Sequence, residues 1–485
     1  MIVKRAVPLS RPSLPFLALA VGLSAAVCAY LLAWAPIAGA EPASAAVTAE
    51  ADGMQAPGAT AETPEPARVD GAGVATAGPW PGWRGPNRDD KVDGEPWPAD
   101  LKGLQKVWAV DQLGPSYSGP IVAEDRIFTT ETREKKYEVV SAFDRDTGEL
   151  LWTRQWEGAM KVPFFAAKNG SWIRSTPVYD GETLFVGGIR EVLVALDGET
   201  GAQKWSLDFP ATHKHDNPPF GFVCSPLIVG DHLYVEAAGA FFKLDKTDGS
   251  VVWKTTPFSD GEMTSEGTFS SPILATVAGR EQLLVQTRLE LVGVAPEDGE
   301  ILWRQPVPSF RGMNILTPLV YNDTVFTSTY RNASYLFQVE AAESGKLGVR
   351  ELWQNTAQAY MSSPVEIDGV AYMHLGNGRL TAVDLNGGER LWTTEPFGSY
   401  WSMVTQNDRI LALDSDGDLV LTRVARSGYE VEDQRKVADR STWAHLAVAD
   451  DQLVIRDLEG LTVWRWSAAA TQEPAAQETV AAVSP

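Results

Sequence analysis

A repeated motif constrains this chain more than any other feature of its sequence. In each copy a short apolar stretch ends in Asp, a turn follows, and Gly-x-x-x-Trp closes the unit. A second motif, Ser/Thr-Pro or Gly-Pro followed by aliphatic residues, precedes each copy. The closing tryptophans are Trp152, Trp205, Trp253, Trp303 and Trp392, with Trp353 in a copy that carries an inserted turn. For a chain of 485 residues, this repetition predicts one array of small units rather than several unrelated domains.

Each unit predicts four short strands, the first beginning near the proline and the fourth carrying the tryptophan. Four-stranded units of roughly 40 to 50 residues are typical of β-propellers. Degenerate copies near Trp401 and Trp443 raise the number of units to eight. The last unit lacks one strand, and residues 104–110, with Trp108, are predicted to supply it. We therefore predict an all-β, eight-bladed propeller of four-stranded antiparallel blades. An N-terminal strand would close the ring, and one N-terminal hydrophobic helix would precede it.

The segments outside the propeller are predicted from charge and composition. Lys4, Arg5 and Arg11 precede a long apolar run, which is typical of an export signal. The predicted organisation is a signal peptide or signal anchor (1–40), a disordered Ala/Pro/Glu-rich tether (41–79), a lead-in segment (80–103), the propeller (104–467) and a disordered tail (468–485). The body is expected to be extracytoplasmic, either periplasmic or secreted. If the signal is uncleaved, residues 14–39 would anchor it in the inner membrane and provide its membrane contact.

Charge and cysteine content exclude two classes of protein. The chain has 41 Lys and Arg against 63 Asp and Glu, a formal charge of −22, which opposes nucleic-acid binding. Its two cysteines, Cys28 and Cys224, cannot build a Cys-rich metal cluster or a disulfide scaffold. We expect a monomer.

Residues 142–152 and 195–205 both fit the pattern Ala-x-Asp-x-x-Thr-Gly-x-x-x-Trp. This pattern resembles the motif of the pyrroloquinoline-quinone (PQQ)-like β-propeller repeat family. That family includes quinoprotein alcohol dehydrogenases and the propeller lipoprotein of the outer-membrane-protein assembly machinery. The resemblance covers about residues 104–466, and residues 80–88 look like the lead-in of a secreted bacterial branch. It specifies the fold better than the activity.

The resemblance leaves the function open. The dehydrogenases of the family use PQQ with calcium or a lanthanide, and many have a disulfide between adjacent cysteines. This chain has no adjacent cysteines and no Cys-x-x-Cys-His haem motif, so we expect no cofactor. The expected function is a non-catalytic envelope scaffold that binds an envelope protein or peptide. The alternatives are a PQQ- or metal-dependent quinoprotein dehydrogenase and a propeller that binds a small ligand or glycan.

Two polar strings resemble metal sites. Asp414, Asp416 and Asp418 imitate the start of a calcium loop, but their place in the repeat predicts a hairpin turn. Residues 213–216, His-Lys-His-Asp, could hold a transition metal, although a solvated polar loop is the favoured interpretation.

The connections between blades predict a binding face. They are long early in the chain and all emerge on one rim of a propeller. Residues just before the Ser/Thr-Pro motif are expected to circle the channel mouth there, although packing between blades is the alternative for the apolar ones. Arg174, Arg288, Arg311 and Asn314 could hold a carboxylate, an anionic ligand or an acidic loop of a partner. The whole predicted face is Tyr117, Arg174, Phe222, Phe269, Arg288, Arg311, Asn314, Tyr360, Tyr400, Trp401, Trp443 and His445.

Overall fold

The computed structural model describes residues 79–256, 267–341 and 346–466. In these residues 32 strands form eight four-stranded antiparallel sheets. The predicted eight-bladed propeller is therefore confirmed. The predicted signal segment, the tail, and all of the tether except Pro79 lie outside the described residues. Among the residues described, no helix is long and apolar enough to cross a membrane.

The strands follow the chain blade by blade. Blades 1 to 4 are β2–β5 (Ile121–Val122, Arg126–Arg133, Tyr137–Asp144, Leu150–Glu157), β6–β9 (Val178–Tyr179, Thr183–Gly187, Val192–Asp197, Gln203–Asp208), β10–β13 (Leu227–Val229, His232–Ala237, Ala240–Asp245, Val251–Thr255) and β14–β17 (Ile273–Val277, Arg280–Gln286, Glu290–Val294, Ile301–Pro306). Blades 5 to 7 are β18–β21 (Leu319–Tyr321, Thr324–Ser328, Ser334–Ala341, Leu347–Asn355), β22–β25 (Val365–Ile367, Val370–His374, Arg379–Asp384, Arg390–Pro396) and β26–β29 (Ser402–Gln406, Arg409–Leu413, Asp418–Ala425, Gly428–Lys436).

Blade 8 combines strands from distant parts of the chain. Its three inner strands are β30 (Ala447–Ala449), β31 (Gln452–Arg456) and β32 (Gly460–Trp466), and its outer strand is β1 (Leu104–Asp111). β1 runs antiparallel to β32, with Leu104 opposite Trp466 and Asp111 opposite Gly460.

The core lies between the blades, and burial falls from the inner strands to the outer one. In blade 1, the six central residues of β3 and of β4 are buried, whereas every residue of β5 is at least partly exposed. Each sheet thus packs both faces of its middle strands against its neighbours, which explains why these strands are continuous apolar or small-residue runs rather than strictly alternating ones.

The motif tryptophans join each blade to the next. The indole of Trp205, on the outer strand of blade 2, lies over Gly249 of blade 3. A Cβ on Gly249 would be 2.7 Å from the ring. Gly249 has φ +75°, which a glycine adopts without strain. Trp108, Trp152, Trp253 and Trp353 cover Gly148, Gly201, Gly299 and Gly388 in the same way.

Each ring also donates from Nε1 to a carbonyl oxygen of the turn that it covers. The donor–acceptor pairs, at 2.9–3.2 Å, are Trp108 with Arg145, Trp152 with Gly198, Trp205 with Lys246, Trp253 with Pro296 and Trp353 with Leu385.

Trp303 departs from this pattern. Its Nε1 donates to Gln282 Oε1 of its own blade at 2.5 Å, and its ring packs over Gly293. The next blade, blade 5, carries the inserted turn. Its strand β20 ends at Ala341, and its strand β21 begins at Leu347. The tryptophans of the regular copies therefore pack against the neighbouring blade, and Trp303 packs within its own sheet instead.

The Ser/Thr-Pro motif links the blades at the centre of the ring. The hydroxyl of one motif accepts a hydrogen bond from the backbone N–H at the matching position of the preceding blade. The pairs are Gly119 N to Thr176 Oγ1 (3.0 Å), Thr176 N to Ser225 Oγ (3.1 Å), Ser225 N to Ser271 Oγ (2.9 Å) and Thr317 N to Ser363 Oγ (3.2 Å). The conserved spacing of Ser or Thr in the repeat thus has a bonding role as well as a small size.

The strand order determines which loops share a side of the ring. Because the strands are antiparallel, the connection into a first strand lies at the same end as the turn between the second and third strands. We call this end the upper face and the opposite end the lower face. The short helix α1 (Phe209–His213) and two single-turn helices (Ala167–Asn169 and Phe310–Gly312) lie in upper-face connections.

Two glycine substitutions separate ring contact from backbone strain. Gly249→Ala places a methyl group against Trp205, whereas Gly279→Ala has a similar φ of +69° and nothing within 4 Å of its Cβ. Both should lose about 1–2 kcal/mol to the positive φ. Gly249→Ala should lose about 1–3 kcal/mol more through overpacking. Urea unfolding measures the difference, and equal losses in the two variants would contradict the proposed role of the tryptophan contact.

Two buried carboxyl groups lie at the interfaces between early blades. Burial raises the pKa of Glu138 and of Glu191 to about 7, from an ordinary value of 4.5. Glu191 accepts a hydrogen bond from Ala238 N at 3.0 Å, which lowers its pKa by less than burial raises it. Both groups therefore hold a proton in the folded state over a pH range in which the unfolded chain has lost it.

Glu191→Gln tests this pH dependence. Because the folded pKa lies above the unfolded one, the free energy of unfolding should fall as pH rises from about 4.5 to about 7. Glutamine keeps an acceptor for Ala238 N but cannot ionise, so the variant should be more stable than wild type at pH 8 and similar to it at pH 4.5. Thermal unfolding at both pH values checks this, and a stability difference that is the same at both would contradict it.

Candidate functional site

The lead-in segment enters the central channel from the lower face. Trp80 pairs with Val122 at the end of β2, through hydrogen bonds of 3.0 and 2.9 Å. Pro81 O accepts from Tyr179 N at 2.8 Å, at the end of β6. Further on, Val92 N donates to Thr405 O at 2.8 Å, at blade 7. The segment thus turns inside the ring and leaves on the lower side, and we call residues 80–92 the plug.

A buried ion pair holds the plug together. Arg84 and Asp90 are 2% and 1% exposed, and the guanidinium of Arg84 contacts the Asp90 carboxylate directly. Arg84 Nη2 also donates to Pro364 O at 2.9 Å, and His445 Nε2 lies 3.2 Å from Asp90 Oδ1. Burial alone would raise the pKa of Asp90, but the charge of Arg84 and the contacts with Arg84 and His445 bring it below its usual value.

A second arginine fixes the plug to the opposite side of the ring. Arg88 donates to Pro226 O at 2.7 Å and to Ser225 O at 2.9 Å, both in blade 3. Burial lowers its pKa to about 10, so the side chain is a cation at neutral pH. The two arginines therefore bind carbonyl oxygens of blades 6 and 3, which a packed apolar plug could not do.

Trp83 forms the floor of a cavity at the upper mouth of the channel. Its Nε1 donates to Thr317 Oγ1 at 3.1 Å, and its ring contacts His445 edge-on at 5.1 Å between centroids. The cavity measures about 150 Å³, and every blade contributes to its wall. The lining residues are Trp83, Tyr117, Asn169, Arg174, Phe220, Val223, Ser225, Phe269, Ser271, Met313, Ile315, Thr317, Met361, Ser363, Tyr400 and Trp443.

Stacked aromatic rings form one wall of the cavity. Trp443 lies between Tyr400 and Tyr117, with centroid distances of 4.7 and 5.2 Å and interplanar angles of 12° and 21°. Trp172 meets Tyr117 edge-on at 5.3 Å. These rings present flat apolar surface that could bind a hydrophobic or aromatic group.

The polar side chains of the cavity include one cation, Arg174, and no carboxylate lines it among the residues described. Arg174 donates to Gly170 O at 2.9 Å and to Trp172 O at 3.3 Å, which fixes the guanidinium at the rim. Burial lowers its pKa to about 10, so it is charged at neutral pH. The mouth is therefore apolar with a positive edge.

Only some residues of the predicted face line the cavity. Five of its members line the cavity, namely Tyr117, Arg174, Phe269, Tyr400 and Trp443. Trp401 does not, since it is 1% exposed and stacks on His374 at 5.2 Å. Blade 7 has no Ser/Thr-Pro to fix the alignment, and Tyr400, with φ +61°, takes the lining position one residue earlier.

Phe222 and Asn314, two further members of the predicted face, are buried inside the blades. Phe222 is 2% exposed and belongs to the core between blades 2 and 3. Asn314 is fully buried and donates to Arg288 O and Val307 O at 3.1 and 2.9 Å. The expected placement of Phe222, Asn314 and Trp401 at the mouth is therefore wrong, because each satisfies a packing or bonding need inside the blades.

Four predicted residues lie near the mouth without lining it. Arg288 is 3% exposed, and its guanidinium lies 4.7 Å from the centroid of Phe269. Arg311 is exposed on the upper face beside Phe310, and Tyr360 packs against Tyr330 at 5.7 Å. His445 lies with the plug beneath Trp83.

The sequence interpretation missed the plug, which supplies the cavity floor. Residues 80–92 contain two tryptophans and two arginines directly after a tether without large aromatic residues, and that contrast was the available signal. The predicted hairpin at Asp414 is confirmed, because Asp414 Oδ1 accepts from Asp416 N and Asp418 N within the turn between β27 and β28. Within the described residues, no group of three or more His, Cys, Asp or Glu side chains could hold a metal ion.

Comparison with known proteins shows which family the chain belongs to. A family model described as outer membrane protein assembly factor BamB matches residues 135–394. The chain belongs to this family. A BamB of Yersinia pestis is 25% identical over 342 residues, covering 67% of this chain and 69% of the relative. A polyvinylalcohol dehydrogenase of Sphingopyxis sp. (strain 113P3) is 27% identical over 197 residues, or 37% of this chain and 29% of that protein.

Solved structures share the fold at low identity. BamB from Moraxella catarrhalis superposes with a TM-score of 0.52 at 17% identity, covering 75% of this chain and 99% of the other. A quinohemoprotein alcohol dehydrogenase of Pseudomonas putida HK5 gives 0.58 at 14% identity, covering 84% of both chains. A BamB and an alcohol dehydrogenase therefore share this fold, and the fold alone does not decide the function.

Asp90→Asn tests the role of the plug. Removing one partner of a buried ion pair leaves Arg84 charged and uncompensated, so we expect a loss of about 3–5 kcal/mol in unfolding free energy. Asp93→Asn is the matched control, because Asp93 is exposed three residues later and should change stability by less than about 0.5 kcal/mol. Chemical denaturation measures both, and similar stability of the two variants would contradict the structural role of the pair.

Proposed function

We propose that this protein is a non-catalytic scaffold of the bacterial envelope that binds another protein, or a peptide segment of one, at the upper mouth of its channel. The observation that carries the proposal is the cavity, to which all eight blades contribute and in which aromatic and aliphatic groups surround one arginine. Membership of the BamB family supports the scaffold function. The partner expected from the names of the relatives is a component of outer membrane protein assembly.

The cavity does not fit a PQQ–calcium pair, which is the alternative suggested by the dehydrogenases in the same superfamily. Calcium in proteins takes six to eight oxygen ligands, largely from carboxylates, and none of the described lining residues is Asp or Glu. Its volume of about 150 Å³ is also below the roughly 300–1,000 Å³ of pockets that enclose ligands of drug size. Trp83 and the rest of the plug occupy the channel beneath it. We therefore propose no redox step.

We further propose that the body works outside the cytoplasm. The charged and apolar sequence of residues 1–40 supports export, and either cleavage or retention as an inner-membrane anchor is compatible with that sequence. The pairing of β1 with β32 supports a ring closed by strands from both ends of the propeller. Arg145 of blade 1 donates to Gln452 Oε1 and Ala449 O of blade 8 at 2.7 and 3.2 Å, which supports the same closure.

Capture of partners in the envelope tests the proposal. Met361→Glu introduces a carboxylate at the partly exposed rim of the cavity, and we expect it to lose most of the partner that wild type recovers by crosslinking and mass spectrometry. Leu150→Glu is the matched control, since Leu150 is 53% exposed on an outer strand away from the mouth.

Two results would contradict the proposal. Equal recovery of partners by wild type, Met361→Glu and Leu150→Glu would rule out the upper mouth as the binding site. Thermal stabilisation by PQQ with calcium, together with dye-linked oxidation of an alcohol, would replace the scaffold with the dehydrogenase alternative. Unfolding temperatures of both variants show whether a loss of binding reflects a loss of fold.

A further inference from the structure

The upper face of blades 2 to 5 has a charge opposite to that of the whole protein. Within the described residues, its inter-blade connections and the turns between second and third strands contain eight cations and two carboxylates, although the chain has a formal charge of −22. Asp260, Glu262 and Glu266 of the connection into blade 4 bring the balance over the sequence to eight cations against five carboxylates. The count covers 158–177, 188–191, 209–226, 238–239, 267–272, 287–289, 307–318 and 329–333, while the carboxylates of 257–266 lie outside the described residues. The cations are Lys161, Lys168, Arg174, Arg190, Lys214, Arg288, Arg311 and Arg331, and the carboxylates are Glu191 and Asp216.

Five of these cations are exposed side chains at the surface. The exposed cations are Lys161, Lys168, Lys214, Arg311 and Arg331. The Glu191 carboxyl group is buried, and because burial raises its pKa to about 7, about half of it is protonated at neutral pH. We call the upper face of blades 2 to 5 the basic rim. Because counter-charges attract over about 10 Å at moderate salt, the basic rim favours an acidic partner.

A row of aromatic side chains leads along the basic rim to the cavity. Phe164 and Phe165 are 81% and 45% exposed and meet edge-on at 5.7 Å. Phe165 contacts Phe220 at 6.1 Å, and Phe220 contacts Phe269 at 5.5 Å. Phe220 and Phe269 line the cavity, so the row is continuous from solvent to the mouth.

Exposed phenylalanine side chains gain free energy from burial only when a partner covers them. Large apolar side chains that stand together at the surface commonly mark an interaction site. Farther along the basic rim, Phe310 is 42% exposed, and the guanidinium of Arg331 lies 5.3 Å from its centroid. Apolar and cationic groups therefore alternate on the same surface.

We propose that the upper face takes an acidic peptide segment in which one large apolar side chain enters the cavity while flanking carboxylates pair with the basic rim. This inference rests on the proposed function and specifies the chemistry of its partner. Arg174, held at the edge of the cavity by Gly170 O and Trp172 O, is placed to meet the first carboxylate beside the anchor. The cavity, at about 150 Å³, holds one side chain rather than a folded element.

Peptide binding to the full-length protein in detergent tests the chemistry. Three labelled peptides share a Gly/Ser backbone: one has Asp on both sides of a central Phe, one replaces that Phe by Ala, and one replaces each Asp by Asn. Fluorescence anisotropy should show binding of the first, with an affinity that falls as salt rises. Loss of the Phe anchor should weaken binding by about tenfold or more, and loss of the carboxylates should weaken it and remove most of the salt dependence.

Charge variants locate the contact. Lys161→Gln/Lys168→Gln should weaken the acidic peptide by about three- to tenfold, through fewer favourable encounters and pairs. Lys102→Gln/Lys106→Gln makes the same change in net charge at exposed positions beside the lower end of the outer strand β1, and should bind like wild type. Equal weakening by the two pairs would show a response to net charge alone and overturn the assignment to the basic rim.

The outcomes also separate this inference from the proposed function. If the Asp-to-Asn peptide binds as well as the acidic one while Met361→Glu still loses the envelope partner, the scaffold proposal stands and the acidic-segment proposal fails. Preferential binding to phosphatidylglycerol vesicles over the acidic peptide, reduced in Lys161→Gln/Lys168→Gln, would overturn the peptide proposal in favour of a lipid surface. Binding of the acidic peptide by wild type and not by Met361→Glu supports both.

Discussion

The contact between a tryptophan and the glycine turn of the next blade is the interaction on which the ring depends. The indole needs a flat surface without a Cβ, and the turn needs a residue that tolerates positive φ, so Gly meets both requirements at one position. The Nε1 hydrogen bond then fixes the ring to the carbonyl behind that glycine. Trp108 of β1 covers Gly148 of blade 1 in the same way, so the strand taken from the N-terminal side makes the same contact as the others.

The centre of the ring follows a different chemistry. There the blades converge, and small hydroxyl residues bond neighbouring backbones where large side chains have no room. The plug completes this polar ring, because Trp83 donates to Thr317 Oγ1 and Arg88 donates to the backbone oxygens of Ser225 and Pro226. A channel that would otherwise be open is thus closed from below, and the upper mouth becomes a shallow cavity with a tryptophan floor.

The sequence predicted the fold well because the repeat records a periodic physical need. Gly-x-x-x-Trp marks a turn and the ring that covers the turn of the next blade, and Ser/Thr-Pro marks an inner strand. Counting these motifs, together with the two degenerate copies near Trp401 and Trp443, gave the number of blades. The site was predicted less completely. Where Ser/Thr-Pro was present the lining positions were correct, as for Arg174 and Phe269, and where it was absent the alignment slipped from Tyr400 to Trp401. The plug has no period, and the carbonyl partners of Arg84 and Arg88 lie more than 130 residues away, so spacing carried no information about it.

The path of the plug has a consequence for how the chain is made. Residues 80–111 are synthesised before any blade, yet they bind carbonyls of blades 3 and 6 and pair with β32 at the far end of the propeller. Contacts of such long sequence separation form late in folding. The chain therefore cannot complete its ring of blades or seat its plug until the last strand, β32, has been synthesised.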